Sequence, residues 1–432
     1  MPLYRRVVSF QVLQRDLHSN SATVQCANGT SLTLQTGGPY TVDDAHHIYV
    51  SDIWVMAGQS NMRGFGFMHD LVTQQPLLHD PIPSVHLFQS NETWAVAADP
   101  THRLSQSPRS VHHRLPDPTV RDPSLVDIRG ASLGLPFAAR YQQENDQVPV
   151  GLVASAHGGT SMDQWLENGE DSLYGAMMAR IEKVGGAVAG ILWFQGETEG
   201  MAGGDVIYSY ADKTRQLFDR MRADIAPEVP IACIQLGRLI STSVPDNSWS
   251  HIRFQQQHLF DTYPHCQAVA AMDTDNDDFV HLGARGLATV GRRLAIAATH
   301  VRRGDNTTSS SPRIEKAVVQ RVQIKNGVSM QFIKVSFQHP ETIHWRSLSE
   351  VHGFSVRDIQ DDNKEYAVIV KALINEQDES VHLFLNRDAD AVLSNNKDRL
   401  CLCYGWGKTP ICNLTTTTDM APLATKIPLL TP

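Results

Sequence analysis

The stretch IYVSDIWVMAGQSNMRGFG, residues 48–66, is an apolar, β-branched run that ends in Gly58-Gln59-Ser60-Asn61 and breaks into a small-residue turn. Strands buried on both faces read as near-continuous apolar runs of this kind, not as a polar–apolar alternation. Four more runs share the texture: VPVGLVASA, GAVAGILWFQ, VPIACIQLG and CQAVAAMD. Between or after them lie amphipathic segments such as SLGLPFAARYQQEN, YSYADKTRQLFDRMRADI and LGARGLATVGRRLAIAATH. Alternation of strand and helix across residues 48–300 predicts an α/β unit on a doubly wound parallel sheet with helices on both faces. Ligands of such sheets bind beyond the carboxyl ends of the strands, which is where Ser60 falls. A serine at that place either caps the next helix or is a nucleophile held on the turn. The short motif alone does not choose.

The flanks have a different texture. Residues 1–47 (RRVVSFQVLQ, ATVQCANGTSLTLQT) and 301–432 (AVVQRVQIKNGVSMQFIKVSF, YAVIVKALI, SVHLFLN, DRLCLCYGWG) read as β-strands. They are separated by turns such as Gly37-Gly38-Pro39-Tyr40 and Lys325-Asn326-Gly327,. These segments predict an accessory β-sandwich formed from the N- and C-terminal pieces together, with two separate sheets as the alternative. RRGDNTTSSSPR, residues 302–313, reads as the linker into the C-terminal part. Within the central unit, residues 67–128 are rich in Pro, His, Asp and Ser. A long irregular insertion directly after Ser60 is expected to wall a cleft, with His112 and His113 as loop residues.

Composition narrows the class. The 432 residues are 41% hydrophobic and 19% charged, as in folded globular proteins,. A formal net charge of -9 argues against nucleic-acid binding, which needs clustered cations,. No run approaches the roughly 18 apolar residues of a membrane span, so no membrane partner is expected. MPLYRRVVSFQVLQRD lacks a signal-peptide core, which leaves a cytosolic protein or one whose leader is absent from this chain. Six cysteines do not make a disulfide framework. Cys401, Cys403 and Cys412 lack a histidine at ligand spacing, so no zinc site is expected,. Sequons at Asn28, Asn91, Asn306 and Asn413 matter only in a secreted eukaryotic protein,.

Three further stretches fall at predicted strand ends. ASAHGGTSMDQW (154–165) puts Gly158 and Gly159 in a turn, where backbone N–H groups can approach a ligand unobstructed by a Cβ,. LWFQGETEG (192–200) offers Gln195, Glu197 and Glu199. DTDNDDFVHLGARG (273–286) sets Asp278 three residues before His281. Taken singly, each is a tight turn, a loop amide or a capping Asp. Together they place a Ser, a His with an acidic neighbour and several donors on one sheet edge. Acyl transfer needs those parts: a base to deprotonate a serine, an acid to orient the base, and donors for the oxyanion. Trp94, Asp163 and Trp165 are either sugar contacts or packing and capping residues.

GQSNM, GGTSMDQW, WFQGETE and DDFVHLGARG, in this order and spacing, resemble the signature blocks of SGNH-type carbohydrate esterases of the sialate O-acetylesterase-like branch. GGPYTVDDAHHIYVSDIWVMAGQSNM and LCYGWGKTPICNLTTTTDMAPLATKIPL are similar to that branch's entry and carboxyl-terminal segments, so the resemblance covers most of the chain from about residue 29. It implies a flavodoxin-like three-layer fold and removal of O-acetyl groups from a carbohydrate, sialic acid or an acetylated polysaccharide. A general short-chain esterase and a non-catalytic glycan-binding protein are the alternatives. It further implies Ser60 as nucleophile, His281 as general base and Asp278 as its acid partner, with Glu197 as the alternative acid. The N–H of Ser60, an N–H of Gly158 or Gly159, and the Gln195 amide would form the oxyanion hole. No metal or organic cofactor is implied.

Overall fold

The computed structural model describes residues 3–304, 311–323, 329–338, 343–361 and 363–431. The opening run forms the strand Ala45–Gly58, central in a nine-stranded sheet. Its parallel neighbours are Val150–Ala154 on one side and Gly190–Phe194 on the other. Ile231–Gln235 and Cys266–Ala270 continue the latter side, also in parallel. Numbered along the chain, these five strands lie in the order 2-1-3-4-5. Part of the 67–128 insertion is also sheet: Val85–Phe88 adds a parallel strand outside Val150–Ala154, and Trp94–Val96 closes that edge as its antiparallel partner.

Every residue of Val150–Ala154, Gly190–Phe194, Ile231–Gln235 and Cys266–Ala270 is buried. Their runs are apolar because helices cover the sheet in two groups. Gly134–Glu144 packs with Ala284–Arg302, while Leu173–Lys183, Tyr210–Asp224 and Asp246–Thr262 form the second group. Ala288, Gly291, Ala295 and Ala298 make a buried small-residue stripe along Ala284–Arg302, which lets that helix lie close to its neighbour. Each fully buried Val, Ile or Leu contributes roughly 1.5–3 kcal/mol, so the sheet is a stiff base for what its edge carries. The chain leaves the central strand toward one side and later crosses to the other. The crevice at that reversal lies over the carboxyl end of Ala45–Gly58.

Among the described residues the N-terminal strands lie in other sheets than the C-terminal ones, which favours the alternative of separate sheets over the joint sandwich. Val12–Gln14 runs parallel to Tyr49–Ser51, and Gly37–Val42, expected as a turn at its start, is a strand antiparallel to the first half of Ala45–Gly58. Ser21–Gln25 pairs with Leu3–Tyr4 and Ser31–Gln35. Tyr4, Leu13, Ala22, Val24, Val42, Ile48 and Val50 form a separate apolar cluster there. Among the described residues no strand of 1–47 pairs with one of 301–432. The reason is the 14-residue length of Ala45–Gly58, whose first half extends past the parallel sheet and offers edges that must be paired. The C-terminal part forms two four-stranded antiparallel sheets, one from Arg313–Gln323, Ser329–Gln338, Ser380–Leu385 and Ile369–Asn375. The other comprises Glu365–Tyr366, Phe354–Asp358, Leu400–Tyr404 and Thr425–Pro428. Val335, Leu383, Val356 and Leu402, from both sheets, share one apolar cluster. Linker residues 305–310, with Asn306, and the turn 325–327 lie outside the described residues.

Two polar anchors tie the parts together. Asp52, fully buried in the central strand, accepts from Arg15 Nη2 at 2.7 Å, Arg302 Nη2 at 2.6 Å and the Tyr141 hydroxyl at 2.9 Å. Burial pushes its carboxyl up, but the Arg302 and Arg15 charges outweigh this and hold it well below the usual range. Arg253, also buried, donates to the carbonyls of Gly405 (3.1 Å) and Gly407 (2.6 Å), seating the C-terminal chain on the α/β unit.

Candidate active site

At the end of the central strand Gly58 has φ +132°, and a Cβ there would stand 2.1 Å from the Phe194 carbonyl oxygen of the adjacent strand. Only glycine permits this turn against its neighbour. Gln59 is the N-cap of the short helix Ser60–Arg63, with no side-chain capping bond. Ser60 is therefore not the cap. It is the first helical residue, and its N–H has no intrahelical acceptor.

The Ser60 hydroxyl lies 2.9 Å from His281 Nε2, and His281 Nδ1 lies 2.8 Å from Asp278 Oδ2. A carboxylate only accepts, so Nδ1 carries the proton and Nε2 is free to accept from Ser60. Asp278 Oδ1 accepts from the N–H groups of Val280 (2.9 Å) and His281 (2.7 Å), which is what the three-residue offset achieves locally. Burial raises the Asp278 carboxyl, but the bond from His281, its charge and the two N–H donors together hold it well below the carboxylate range. Arg129 Nη1 also reaches Asp278 Oδ2 at 2.8 Å while stacking over Phe65 and Phe67. Phe65 meets the His281 ring edge-on at 4.6 Å.

Ser60 and His281 open onto a cavity of about 200 Å³, lined also by Phe65, Pro116, Pro118 and Phe279 together with Gly158 and Gly159. Pro116, Asp117 and Pro118, all from the segment 67–128, line this cavity. Gly158 is needed for the fit: a Cβ there would lie 2.5 Å from Asp117 Oδ2. Asp117 accepts from Thr119 N (2.8 Å) and stands 3.6 Å from Arg63 Nε, linking the wall to the Ser60 helix. The motif Ser161-Met162-Asp163-Gln164 closes the glycine turn as a capping box on the helix Met162–Leu166,.

Gln195 is not brought to the cavity. It is fully buried, and its Nε2 donates to the Thr160 carbonyl (3.1 Å) and Glu199 Oε2 (2.6 Å). Glu199 Oε1 in turn accepts from Met162 N at 2.6 Å. Gln195 thus braces the glycine turn from behind, and the oxyanion role expected of it is corrected, because its donors are already used. Glu197 makes no contact with His281, whose two ring nitrogens are occupied by Asp278 and Ser60. It accepts instead from Asn61 Nδ2 at 2.6 Å. Burial pushes its carboxyl up to about 7, with Glu199 adding and the Asn61 bond opposing.

Trp165 is fully buried and donates to Thr160, and Trp94 is buried against Phe88. Both are packing residues. Asp163 is exposed and paired with Lys213. His112 lies on the short helix Val111–Arg114, not in a loop, and its buried ring stands 5.6 Å from that of His157 behind the glycine turn. Burial lowers the proton affinity of His102, His112 and His157, for His102 to about 3, so these imidazoles stay neutral. Sequence reasoning missed Asn61, Arg63, Asp117 and Arg129. Of these, Asn61 stands directly after Ser60 in the sequence.

Residues 50–300 match the model of the family described as carbohydrate esterase, sialic acid-specific acetylesterase. A probable carbohydrate esterase of Arabidopsis thaliana is 28% identical over 193 residues, which is 43% of this chain and 69% of that protein. The sialate O-acetylesterase of Homo sapiens is 22% identical over 307 residues, covering 63% of this chain and 57% of that one. The chain thus spans little more than half the length of that curated relative. The crystal structure of a carbohydrate acetylesterase from Xanthomonas citri superposes with a TM-score of 0.67 at 18% identity, across 99% of this chain and all of that one. That likeness is one of fold.

Proposed function

The chain belongs to the sialic acid-specific acetylesterase family of carbohydrate esterases, and from that premise we propose that it removes O-acetyl groups from a carbohydrate through an acetyl-Ser60 intermediate. The observation that carries the reading is the relay Ser60–His281–Asp278, at 2.9 and 2.8 Å, opening on a closely walled cavity. His281 Nε2 takes the Ser60 proton as Oγ attacks the acetyl carbon, and returns it to the departing sugar oxygen. Water, deprotonated by the same nitrogen, then attacks the acetyl carbon; the bond to Oγ breaks, acetate leaves, and His281 returns the proton to Ser60. Asp278 keeps the imidazole in the required tautomer and balances its charge in the transition state. The N–H of Ser60 and an N–H of the Gly158–Gly159 turn are the oxyanion donors in this reading. We also read residues 48–300 as a flavodoxin-like three-layer catalytic unit, with the two C-terminal sheets of 301–432 as an accessory sandwich.

The test is acetate release from O-acetylated sialic acid, acetylated xylan and 4-nitrophenyl acetate by wild type and Ser60→Ala. Release by wild type and none above background by the variant is expected. Silence of wild type on all three, or an active variant, overturns the proposal. Release from 4-nitrophenyl acetate alone would point to a general short-chain esterase.

A further inference from the structure

Asn61 is 2% exposed and its side chain makes three contacts. Nδ2 donates to Glu197 Oε1 at 2.6 Å and, at 3.3 Å, to the Val280 carbonyl; Oδ1 accepts from the Leu282 N–H at 3.0 Å. Val280 and Leu282 are the residues on either side of His281. The amide next to the serine therefore grips the backbone on both flanks of the base. Its bond to Val280 is long, whereas the bond to Glu197 is short and reaches a carboxyl group, the stronger kind of acceptor when ionised. Glu197 Oε2 is buried without a hydrogen-bond partner, so Asn61 is the side chain that holds the carboxyl.

We propose that Glu197 is a positioning residue that acts on His281 through Asn61, not as its acid partner. Glu197 anchors the Nδ2 end of the amide, which keeps Oδ1 aimed at Leu282 and holds the imidazole in line with Ser60. The loop carrying His281 lies 221 residues beyond the serine, which follows the central strand. Asn61 is the clamp between them, and Glu197 is what holds the clamp. This rests on the reading of Ser60 and His281 as nucleophile and base.

The experiment measures kcat and KM on 4-nitrophenyl acetate for wild type, Ser60→Ala, Asp278→Asn, Glu197→Gln, Glu197→Leu, Asn61→Asp and the double variant Asn61→Asp/Glu197→Gln. Glu197→Gln keeps an acceptor for Asn61 and should stay within about threefold of wild type. Glu197→Leu should lose roughly 10–100-fold in kcat with KM little changed, the scale of a misplaced base. Asp278→Asn should lose about 10³–10⁴-fold. Asn61→Asp sets two carboxyls face to face and should be strongly impaired. The double variant restores an amide–carboxylate pair with its polarity reversed and should recover at least about tenfold of that loss. That rescue keeps the test valid even if Glu197→Leu does not fold. Glu197→Gln falling as far as Asp278→Asn would make Glu197 an acid acting on histidine and overturn the inference, as would absence of rescue. An inactive wild type, or an active Ser60→Ala, would instead overturn the esterase reading beneath it.

Discussion

Glu197→Gln is expected to stabilise the protein increasingly as pH rises. The Glu197 carboxyl is pushed from 4.5 to about 7, first by burial, with Glu199 adding and the bond from Asn61 opposing. A folded-state value above the unfolded one means that the fold favours the protonated form. The stability from that preference is complete below the unfolded value and is lost as pH rises through about 7,. In alkaline solution the wild type carries a buried charge that the unfolded chain carries in water without penalty. The gap between 4.5 and about 7, at about 1.4 kcal/mol per pH unit, is worth about 3 kcal/mol in total. Part of it is already felt at pH 5, so the stability difference between variant and wild type should widen by roughly 2–3 kcal/mol from pH 5 to pH 9. Glutamine adds its own cost for the amide group that replaces Oε2, but that cost does not depend on pH and cancels from the comparison. Urea unfolding of both proteins at pH 5, 7 and 9 provides the measurement. A difference that stays flat or narrows with pH would mean that the carboxylate is ionised and satisfied in the fold, and the burial argument would fail.

Other substitutions probe the scaffold around the relay. Gly158→Ala forces a Cβ toward Asp117, which Thr119 and Arg63 hold in place; urea unfolding should record a loss of about 1–3 kcal/mol, and steady-state kinetics a lower kcat. Gln195→Leu should cost about 1–3 kcal/mol in the same unfolding assay, by taking the Gln195 donor from the Thr160 carbonyl and from Glu199 Oε2,. Its kcat should fall by less than the roughly 10²–10³-fold of a lost oxyanion donor. Asp52→Ala should cost about 3–5 kcal/mol at neutral pH, since two guanidiniums lose their anion. The Asp52 carboxyl is depressed in the fold, so its contribution is present above the unfolded value and lost as pH falls through the folded one,. The gap to wild type should therefore shrink in strong acid.

Much of this site is local and so was legible. Ser60 sits at the end of an unmistakable buried strand, and Asp278 reaches His281 across three residues without help from distant chain. The glycine turn carries its capping box in sequence. What escaped reading depends on where side chains point after folding. Gln195 and Glu197 are two residues apart at one strand end, yet both turn into the protein, toward Glu199 and Asn61. Asn61 carries no local sign of its role, because its partners lie 136 and more residues away. The β character of residues 1–47 was evident from composition. Their partner was not, because pairing with the overhanging half of Ala45–Gly58 depends on a strand length that periodicity leaves open. The insertion was expected beside the cleft, but the strand pair Val85–Phe88 and Trp94–Val96 within it was not, because short strands among prolines leave no periodic signal.

The anion at Asp52 bears on how portable the catalytic unit is. Cutting the gene to the part that family likeness picks out, residues 50–300, would keep the carboxylate and discard both arginines that neutralise it, one before the cut and one after. Arg253 would likewise be left without the Gly405 and Gly407 carbonyls. The piece that looks autonomous by homology is electrically incomplete. A transplantable version has to begin ahead of Arg15 and continue past Gly407, and a library of domain fusions built on the narrower borders should yield insoluble protein whatever the quality of its active site.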